Sequence, residues 1–277
     1  MRERPGWAYL FLSPWVLGVL LLTLGPMAAS LYLSFTDYDL FSPPNWIGLE
    51  NYRNLFTDDD RFLTSVWVTV KYVLLSTPLK LAAALAVAVL LNRASMAQGF
   101  YRSAFYAPSL LGASVAVALS WRVIFNSWVS NPDYSLLTVV ALAVWQFGAP
   151  MVIFLAGLKQ IPQELYDASS VDGAGAWRTF RSVTLPMLSP VIFFNLVLET
   201  IHAFQAFTGA FVISGGRGGP VDSTLFYSIY LYQKGFTEFR MGYASAMAWV
   251  LVLVVALITA VLFRTARKWV FYVGDDK

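Results

Sequence analysis

Long runs of apolar residues alternate along this chain with short polar segments. A helix that crosses the hydrocarbon core of a bilayer needs about 20 mainly apolar residues. Six runs are long enough, at about 8–33, 64–91, 101–125, 135–158, 187–213 and 240–263. The pattern predicts an all-α fold: a polytopic membrane helix bundle of about six transmembrane helices, in a single transmembrane domain over residues 1–277.

The first of these runs begins close to two arginines and could be mistaken for a signal peptide. Its apolar stretch extends from Trp7 to Leu33, whereas the apolar core of a signal peptide has about 7–15 residues. We therefore interpret the run as a retained first transmembrane helix.

Composition narrows the class of protein further. The chain of 277 residues is 58% hydrophobic and only 13% charged, about half the charged fraction of a typical soluble domain. It contains no Cys and one His, so disulfides, thiol chemistry and a multi-His metal site within the chain are excluded. The composition is that of a multi-pass membrane protein, and no catalytic residues and no metal site are expected.

The distribution of basic residues predicts the orientation in the membrane. If the N-terminus is cytoplasmic, 11 of the 19 Lys and Arg residues fall in inside segments and 5 in outside segments, while Lys71, Lys80 and Arg122 lie within or beside spans. Basic residues are enriched in cytoplasmic loops. The bias predicts an N-in, C-in protein, with residues 159–190 on the cytoplasmic side and residues 34–63 outside.

The outside segment 34–63 is acidic, contains a Pro-Pro pair and carries several aromatic residues. We interpret it as an ordered extracytoplasmic loop that caps the outer face, with a passive connector as the alternative.

The segment 159–190, KQIPQELYDASSVDGAGAWRTFRSVTLPMLSP, is unusually polar for this chain. Pro162 suits the first turn of a helix, and acidic residues in that turn complement the helix dipole. A mostly small helix face is predicted at the spacing i, i+3, i+4, i+7, formed by Leu165, Ala168, Ser169 and Asp172. Gly173 and Gly175 should end this helix, and a second short helix is predicted over 174–182 before Pro186 leads into the next span. The chemistry favours either an amphipathic loop on the headgroups or a docking element for a cytoplasmic partner.

The same segment resembles the EAA loop of binding-protein-dependent ABC importer permeases. That pattern is E-A-A, three residues, G, nine residues, then I-x-L-P. Asp167-Ala168-Ser169 stands in the E-A-A position, Gly173 is in register, and Val183, Leu185 and Pro186 complete the pattern. The stretches IPQELY and VDGA are similar to the carbohydrate-uptake branch of maltose- and glycerol-phosphate-type permeases. Asp167 for Glu and Ser169 for Ala are departures that keep charge or size.

The resemblance covers most of the chain. FTDYDLFSPPNWIGLENYRNLF is similar to the first outer loop of sugar permeases, YRSAFYAPSLLGASVAVALSWRVIF to their third span, and SGGRGGPVDSTLFYSIYLYQKGFTEFRMGYASAMAWVL to their last outer loop and final span. Between residues 125 and 135 this chain lacks a segment that relatives carry.

The resemblance implies a division of labour between subunits. The chain has no G-x-x-x-x-G-K-[ST] motif, the phosphate-binding loop of many ATPases. It is expected to hold no cofactor, with ATP and Mg bound by two partner ATPase subunits. A second permease subunit, forming a heterodimer, and an extracytoplasmic solute-binding protein are the other implied partners, in the cell membrane of a prokaryote; no nucleic acid is involved. The residues expected to couple to the ATPase are Glu164, Leu165, Asp167, Ala168, Ser169, Asp172, Gly173, Ala174 and Pro186.

Candidate solute contacts lie in the fourth and fifth spans. Ionisable residues inside a membrane are costly and mark functional sites. Glu199 and His202 are i, i+3 neighbours that can face one cavity, and the resemblance adds Trp145 and Gln146, with Gln205 at the flank. An ionised Glu199 would favour a cationic group such as the amine of an amino sugar. Alternatively, Glu199 and His202 pair with each other or with the partner chain and only stabilise the bundle.

Two other functions are alternatives to an importer permease for a sugar or sugar-like solute. A secondary, ion-coupled transporter would show similar halves or matching broken helices, and the sequence shows no convincing internal similarity. An intramembrane enzyme would need a catalytic constellation, which a single His and no Cys make a poor prospect. The sequence does not identify the solute, and it does not separate neutral sugars from amino sugars or glycerol-phosphate-type solutes.

Overall fold

The computed structural model describes residues 5–92, 98–112 and 114–271, and regular structure in these ranges is helical apart from one isolated β-bridge between Thr36 and Trp46. We number the α-helices in chain order: α1 Pro5–Gly18, α2 Gly25–Leu33, α3 Glu50–Thr57, α4 Asp60–Asn92, α5 Gln98–Leu111, α6 Val115–Ile124, α7 Asn126–Val129, α8 Pro132–Trp145, α9 Gly148–Leu158, α10 Gln163–Val171, α11 Ala176–Thr179, α12 Leu185–Phe204, α13 Thr208–Ser214, α14 Tyr227–Tyr232 and α15 Met241–Ala266. Three π-helical segments, Val19–Leu24, Phe180–Thr184 and Gln233–Thr237, and one 3₁₀ turn, Pro220–Asp222, join neighbouring helices.

Among the described residues, four continuous helices are long and apolar enough to cross a membrane: Phe11–Leu33, Asp60–Asn92, Ala176–Phe204 and Met241–Ala266. Two bent helix pairs, α5 with α6 and α8 with α9, meet the same test when each pair is counted together, which brings the total to six. The predicted all-α polytopic bundle of about six spans is therefore confirmed.

The third and fourth spans are broken, which the sequence did not reveal. α5 and α6 meet at 93° and α8 and α9 at 42°. Ser114 caps α6, because its hydroxyl accepts a hydrogen bond from the backbone N–H of Ala116. α5 and α6 have 14 and 10 residues, so neither is long enough to cross a bilayer alone.

The fifth span differs from its predicted limits of 187–213 and from the separate short helix expected over 174–182. One continuous helix extends from Ala176 to Phe204. A π-helical segment, Phe180–Thr184, directly precedes the first turn of α12, and the helix passes through Pro186 without ending. π-bulges of this kind let a helix absorb a local mismatch in its hydrogen bonds. At the other end, residues 205–207 leave the helical path before α13 begins.

The chain folds into two compact units. The first comprises Met1–Phe62 and Leu231–Val254, and the second comprises Leu63–Tyr230 and Val255–Lys277.

In the first unit, Asn51 holds the loop that follows α2. The buried side-chain amide of Asn51 donates hydrogen bonds to the carbonyl oxygens of Ser34, at 3.0 Å, and Thr36, at 2.8 Å. The hydroxyls of Ser34 and Tyr52 lie 2.7 Å apart. Elsewhere in this unit, the Tyr243 hydroxyl donates to a carboxylate oxygen of Asp59 at 2.6 Å.

In the second unit, one core cluster joins α4, α9 and α12. Its fully buried members include Ala84 and Ala88 of α4, Met151 and Phe154 of α9, and Leu188 of α12. Small alanines on α4 let the larger side chains of α9 approach closely. This packing holds α4 and α12 in the positions that form the cavity described next.

Candidate functional site

A cavity of about 260 Å³ lies in the second unit, among α4, α12 and the break between α8 and α9. Its walls are mostly apolar, with a minority of polar side chains: Tyr72, Ser76, Thr77, Lys80, Gln146, Glu199 and His202. Concave, mainly apolar sites with a few polar groups are typical of small-molecule binding.

An ion pair between Lys80 and Glu199 forms one side of the cavity. The Lys80 ammonium donates to a Glu199 carboxylate oxygen at 2.7 Å, and the two side chains are only 17% and 12% exposed. Lys80 belongs to α4 and Glu199 to α12, so the ion pair links the second and fifth spans. The partner of Glu199 is therefore Lys80 and not His202.

Thr77 is unusual among the buried hydroxyls of the cavity. It is 4% exposed, and its hydroxyl forms no hydrogen bond with any other described residue. Buried polar side chains are nearly always paired, so an unpaired hydroxyl in a cavity wall indicates a group that can bind a ligand or a water molecule.

The predicted solute contacts divide into two groups. Gln146, Glu199 and His202 line the cavity, whereas Trp145 and Gln205 do not. Trp145 is the last residue of α8 and its ring is 6.0 Å from that of Trp121, and Gln205 is exposed just beyond the end of α12.

Gln146 is fixed by its neighbours. Its backbone oxygen accepts from the Ser109 hydroxyl at 3.0 Å, and its side-chain amide donates to the Leu142 carbonyl at 3.2 Å. The side chain lies so close to Gly112 that a methyl group there would overlap it. Because Gly112, directly after α5, has no side chain, the Gln146 side chain has room to lie in the cavity wall.

Tyr72, Ser76 and Thr77, which α4 contributes to the cavity, were missed by the sequence reasoning. Tyr72, Ser76 and Lys80 are spaced i, i+4, i+8 and therefore share one helix face, and Thr77 flanks it. This polar stripe on an apolar helix was a detectable signal. Lys71, in contrast, is exposed and lies nine residues from Lys80, half a turn away around the helix.

The second candidate site is a helical hairpin formed by α10 and α11. Gly173, between the two helices, has φ of +71°, a conformation that residues with a side chain seldom adopt. The Ser169 and Thr179 hydroxyls lie 2.8 Å apart and join the two arms. Tyr166 and Thr184 make a second, longer contact of 3.3 Å between their hydroxyls. The hairpin is thus closed by its own side chains.

The hairpin exposes most of the residues expected to couple to an ATPase. These exposed residues are Glu164, Leu165, Asp167, Ala168, Asp172 and Gly173. Ala174 and Pro186 are partly buried, and Ser169 is buried at 8% exposure. The predicted small face is therefore divided, because Ser169 faces the opposite arm of the hairpin while Leu165, Ala168 and Asp172 face outward.

Two large apolar side chains stand out at the tip of the hairpin. Val171 is 88% exposed and Trp177 is 74% exposed. The Trp177 ring stacks on Phe180 at 5.7 Å between centroids. Exposed apolar groups clustered on a polar hairpin are typical of interaction surfaces.

Comparison with known families matches most of the chain to one of them. A family model described as "Binding-protein-dependent transport system inner membrane component" matches residues 58–268.

Individual relatives are similar over nearly the whole length. The "Probable ABC transporter permease protein YesP" of Bacillus subtilis is 51% identical, covering 97% of this chain and 93% of that protein. The "Probable starch degradation products transport system permease protein AmyD" of Thermoanaerobacterium thermosulfurigenes is 29% identical, over 95% and 94% of the two chains. The "sn-glycerol-3-phosphate transport system permease protein UgpA" of Agrobacterium fabrum is 31% identical, over 95% and 96%.

Solved structures share the fold. A chain of a bacterial ABC transporter involved in import of the acidic polysaccharide alginate superposes with a TM-score of 0.82 at 20% identity, covering 96% of each chain. The alginate transporter solved in complex with its pentasaccharide-bound periplasmic protein gives a TM-score of 0.80 at 18% identity, covering 96% of this chain and 95% of that one.

Proposed function

The chain belongs to the family of inner membrane components of binding-protein-dependent transport systems, and we propose that it forms the path for a sugar or sugar-like solute and is driven through the α10–α11 hairpin by a separate ATPase. Family membership makes it a membrane-spanning permease subunit of an ABC importer. The comparisons favour this function over a secondary, ion-coupled transporter.

The hairpin is the observation that supports the coupling proposal most strongly. It combines a glycine with positive φ, a closing hydrogen bond between the Ser169 and Thr179 hydroxyls, and an exposed tip with Val171 and Trp177. A lever must be rigid within itself and exposed to its partner. The hairpin is joined to the fifth span by a continuous helix, Ala176–Phe204, so a push at its tip would be transmitted to Glu199 and the cavity.

A sugar-like solute is supported by the relatives and by the chemistry of the cavity. The relatives' names specify starch degradation products and sn-glycerol-3-phosphate, and the structural relative imports a polysaccharide. The cavity offers hydroxyl, amide and charged groups beside apolar walls, the mixture that suits a hydroxyl-rich solute with apolar C–H faces. We propose Gln146, Glu199 and His202 as contacts of the solute path.

The remaining partners are proposed from the family's name and from the first unit. A binding-protein-dependent system implies an extracytoplasmic solute-binding protein. We propose that the loop 34–63 contributes to its docking surface, since Phe41, Trp46 and Leu49 are 77%, 63% and 67% exposed there. A second permease subunit and two ATPase subunits complete the proposed complex, in a prokaryotic cell membrane.

The experiment that tests this function is co-expression of the chain with candidate ATPase subunits, followed by pull-down and measurement of ATP turnover. Gly173→Trp and Asp167→Lys alter the hairpin, and Asp58→Lys is a matched charge reversal outside it. The proposal expects the wild-type chain and Asp58→Lys to bind an ATPase and stimulate its turnover, while the two hairpin variants lose both properties. Equal binding by all four chains, or no binding by the wild type, would contradict it.

A further inference from the structure

The cavity has features that identify its ligand more closely. We infer that it holds one uncharged, hydroxyl-bearing ring or small polyol portion of the solute at a time, and that Thr77 and Lys80 join Glu199 as polar contacts. This inference rests on the proposed function, because it names the class of solute within the sugar-like group.

The Thr77 hydroxyl is the first observation that indicates a hydroxyl-bearing ligand. It is buried at 4% exposure, lines the cavity and forms no hydrogen bond with the described residues. A threonine on a helix usually has the carbonyl four residues earlier as an available acceptor, yet Thr77 does not use it. A hydroxyl group can both donate and accept, so a ligand hydroxyl of either polarity would pair with Thr77.

The ion pair supplies further hydrogen-bonding capacity. An ammonium group has three donors and a carboxylate about four acceptor positions, and one hydrogen bond of 2.7 Å joins Lys80 to Glu199. Two neighbouring hydroxyls of a sugar ring could therefore accept from Lys80 and donate to Glu199 without separating them. Thr77 and Lys80 are neighbours on α4 at spacing i, i+3, and Lys80 contacts Glu199, so the three polar contacts form a connected part of the cavity wall.

The charge balance argues against ionic ligands. The positive charge of Lys80 and the negative charge of Glu199 cancel at 2.7 Å. A phosphate or carboxylate would compete with Glu199 for the positive charge of Lys80, and an amine would compete with Lys80 for the negative charge of Glu199. Either ligand would leave one partly buried charge unpaired, which is strongly unfavourable. This inference therefore differs from the sequence-based hypothesis that an ionised Glu199 would favour an amino sugar.

The volume limits the size of the ligand. Pockets for small ligands usually measure about 300–1,000 Å³, so a cavity of about 260 Å³ is slightly smaller than that range. Val139, Leu142 and Phe207 provide apolar wall, on which the C–H face of a ring can pack. The cavity suits a single ring rather than a chain of rings.

Binding can be measured by saturation-transfer NMR on the assembled transporter in nanodiscs. The neutral probes are D-glucose, D-galactose, D-mannose, L-rhamnose, D-xylose and glycerol, and the charged probes are glucosamine, glucuronate, glucose 6-phosphate and sn-glycerol 3-phosphate. We expect the strongest saturation-transfer signal from a neutral probe. The charged probes should bind about tenfold more weakly, which is a typical loss of affinity when one hydrogen bond to a charged group is not formed.

Variants of Thr77 then test whether the neutral probe binds in this cavity. Thr77→Val should weaken binding of the best neutral probe about tenfold, whereas Thr77→Ser, which keeps the hydroxyl, should retain it. Thr265→Val is a matched control on an exposed residue of α15, whose hydroxyl donates to the Leu262 carbonyl. If Thr77→Val does not fold, the charge preference of the wild type and the behaviour of Thr77→Ser decide the result.

Three results would overturn the inference. They are a stronger saturation-transfer signal from a charged probe than from any neutral probe, no signal from any neutral probe, and equal binding of the best neutral probe by the wild type and Thr77→Val. Pull-down with the ATPase is measured on the same samples. Retained ATPase coupling with any of these negative results overturns only the inference about the solute. Loss of ATPase binding by the wild type overturns the proposed function itself.

Discussion

The Lys80 ammonium and the Glu199 carboxylate, 119 residues apart in sequence, lie 2.7 Å from each other and join α4 to α12. Charged side chains inside a membrane are costly unless they face the interior and find a partner. This pair meets both conditions, because it lies at the wall of the polar cavity. It ties together two spans at the level of the proposed solute path.

Removal of one member of this pair should destabilise the protein. Lys80→Met leaves Glu199 without its cation, and breaking a buried pair in this way costs about 3–5 kcal/mol, with the lower end expected here because both side chains retain some exposure. Thermal unfolding in detergent, followed by tryptophan fluorescence, should show a clearly lower midpoint. The double variant Lys80→Met/Glu199→Met should unfold at a higher temperature than either single variant, because no charge is left unpaired.

Lys71→Met provides the control for that series, since Lys71 is exposed on the same helix. Its unfolding midpoint should match the wild type. If Lys80→Met were as stable as Lys71→Met, the ion pair would have no structural role.

Any side chain at Gly173 should destabilise the hairpin through the backbone conformation alone. Its φ is +71°, and no atom lies within 4 Å of the position where a Cβ would be added. Gly173→Ala therefore introduces no clash and costs about 1 kcal/mol of hairpin stability through the left-handed backbone. Binding of the ATPase should weaken about fivefold, measured as a dissociation constant.

Gly175 is the matched control because it is equally open but has an extended backbone, with φ of −72° and ψ of 164°. Gly175→Ala should bind the ATPase as the wild type does. Equal losses at the two positions would show that the hairpin responds to side-chain bulk and not to strain.

The six spans and the hairpin were accessible from sequence because their signals are local. Apolar runs of sufficient length mark the spans, and Gly173 marks the turn after α10. The break after Phe204 gave no such signal, since residues 205–207 contain neither glycine nor proline. Tertiary packing, and not local propensity, ends that helix.

Contacts between segments that are distant along the chain could not be predicted from the sequence pattern. Pairing of Glu199 with His202 or with the partner chain was one alternative that the sequence left open, and in the structure Glu199 pairs with Lys80. Ser169 was expected on an outward small face, but it turns toward Thr179 when the hairpin closes. In both cases the partner comes from another helix, whose position hydropathy does not specify.

Gly148 should tolerate no side chain. A Cβ there would lie 2.5 Å from the Phe105 carbonyl oxygen and 2.8 Å from Tyr106 Cα, and these backbone atoms move only if α5 and α9 separate. Gly148→Ala should lower the free energy of unfolding by about 1–3 kcal/mol, the usual cost of overpacking.

Gly157→Ala is the comparison for that change. Its Cβ would meet only side-chain atoms of Leu188, at 2.8 Å, and Val191, at 2.9 Å, which can rotate away. Its thermal midpoint should fall less than that of Gly148→Ala. The reverse order would contradict the close backbone approach of α5 and α9.

The outer loop should lose order in acid. Backbone N–H groups of Ser42 and Phe41 donate to Asp39 and lower the pKa of its carboxyl below the ordinary 3.8. The backbone N–H of Asn45, then its side-chain amide, lowers the pKa of Asp37 in the same way. Because both pKa values are lowered, the ionised carboxylates stabilise the loop fully above about pH 4. This stabilisation is lost as the pH falls through the lowered pKa values.

Amide hydrogen exchange at Ser42 and Asn45 measures this effect, after correction for the intrinsic pH dependence of exchange. Protection should be constant at neutral pH and fall below about pH 4. Asp39→Asn, which cannot titrate, should remove the pH dependence at Ser42 and leave that at Asn45. Unchanged protection of Ser42 in acid would show that Asp39 does not order the turn.

The central claim is that the α10–α11 hairpin docks on an ATPase, and the absence of cysteine from the chain allows a direct measurement. Single cysteines are introduced by Val171→Cys at the hairpin tip and by Phe41→Cys in the outer loop, both highly exposed positions. Labelling by a maleimide is followed in nanodiscs with and without the ATPase subunits. The account predicts that the ATPase protects Val171→Cys and leaves Phe41→Cys fully reactive. Equal labelling of Val171→Cys with and without the ATPase would contradict it.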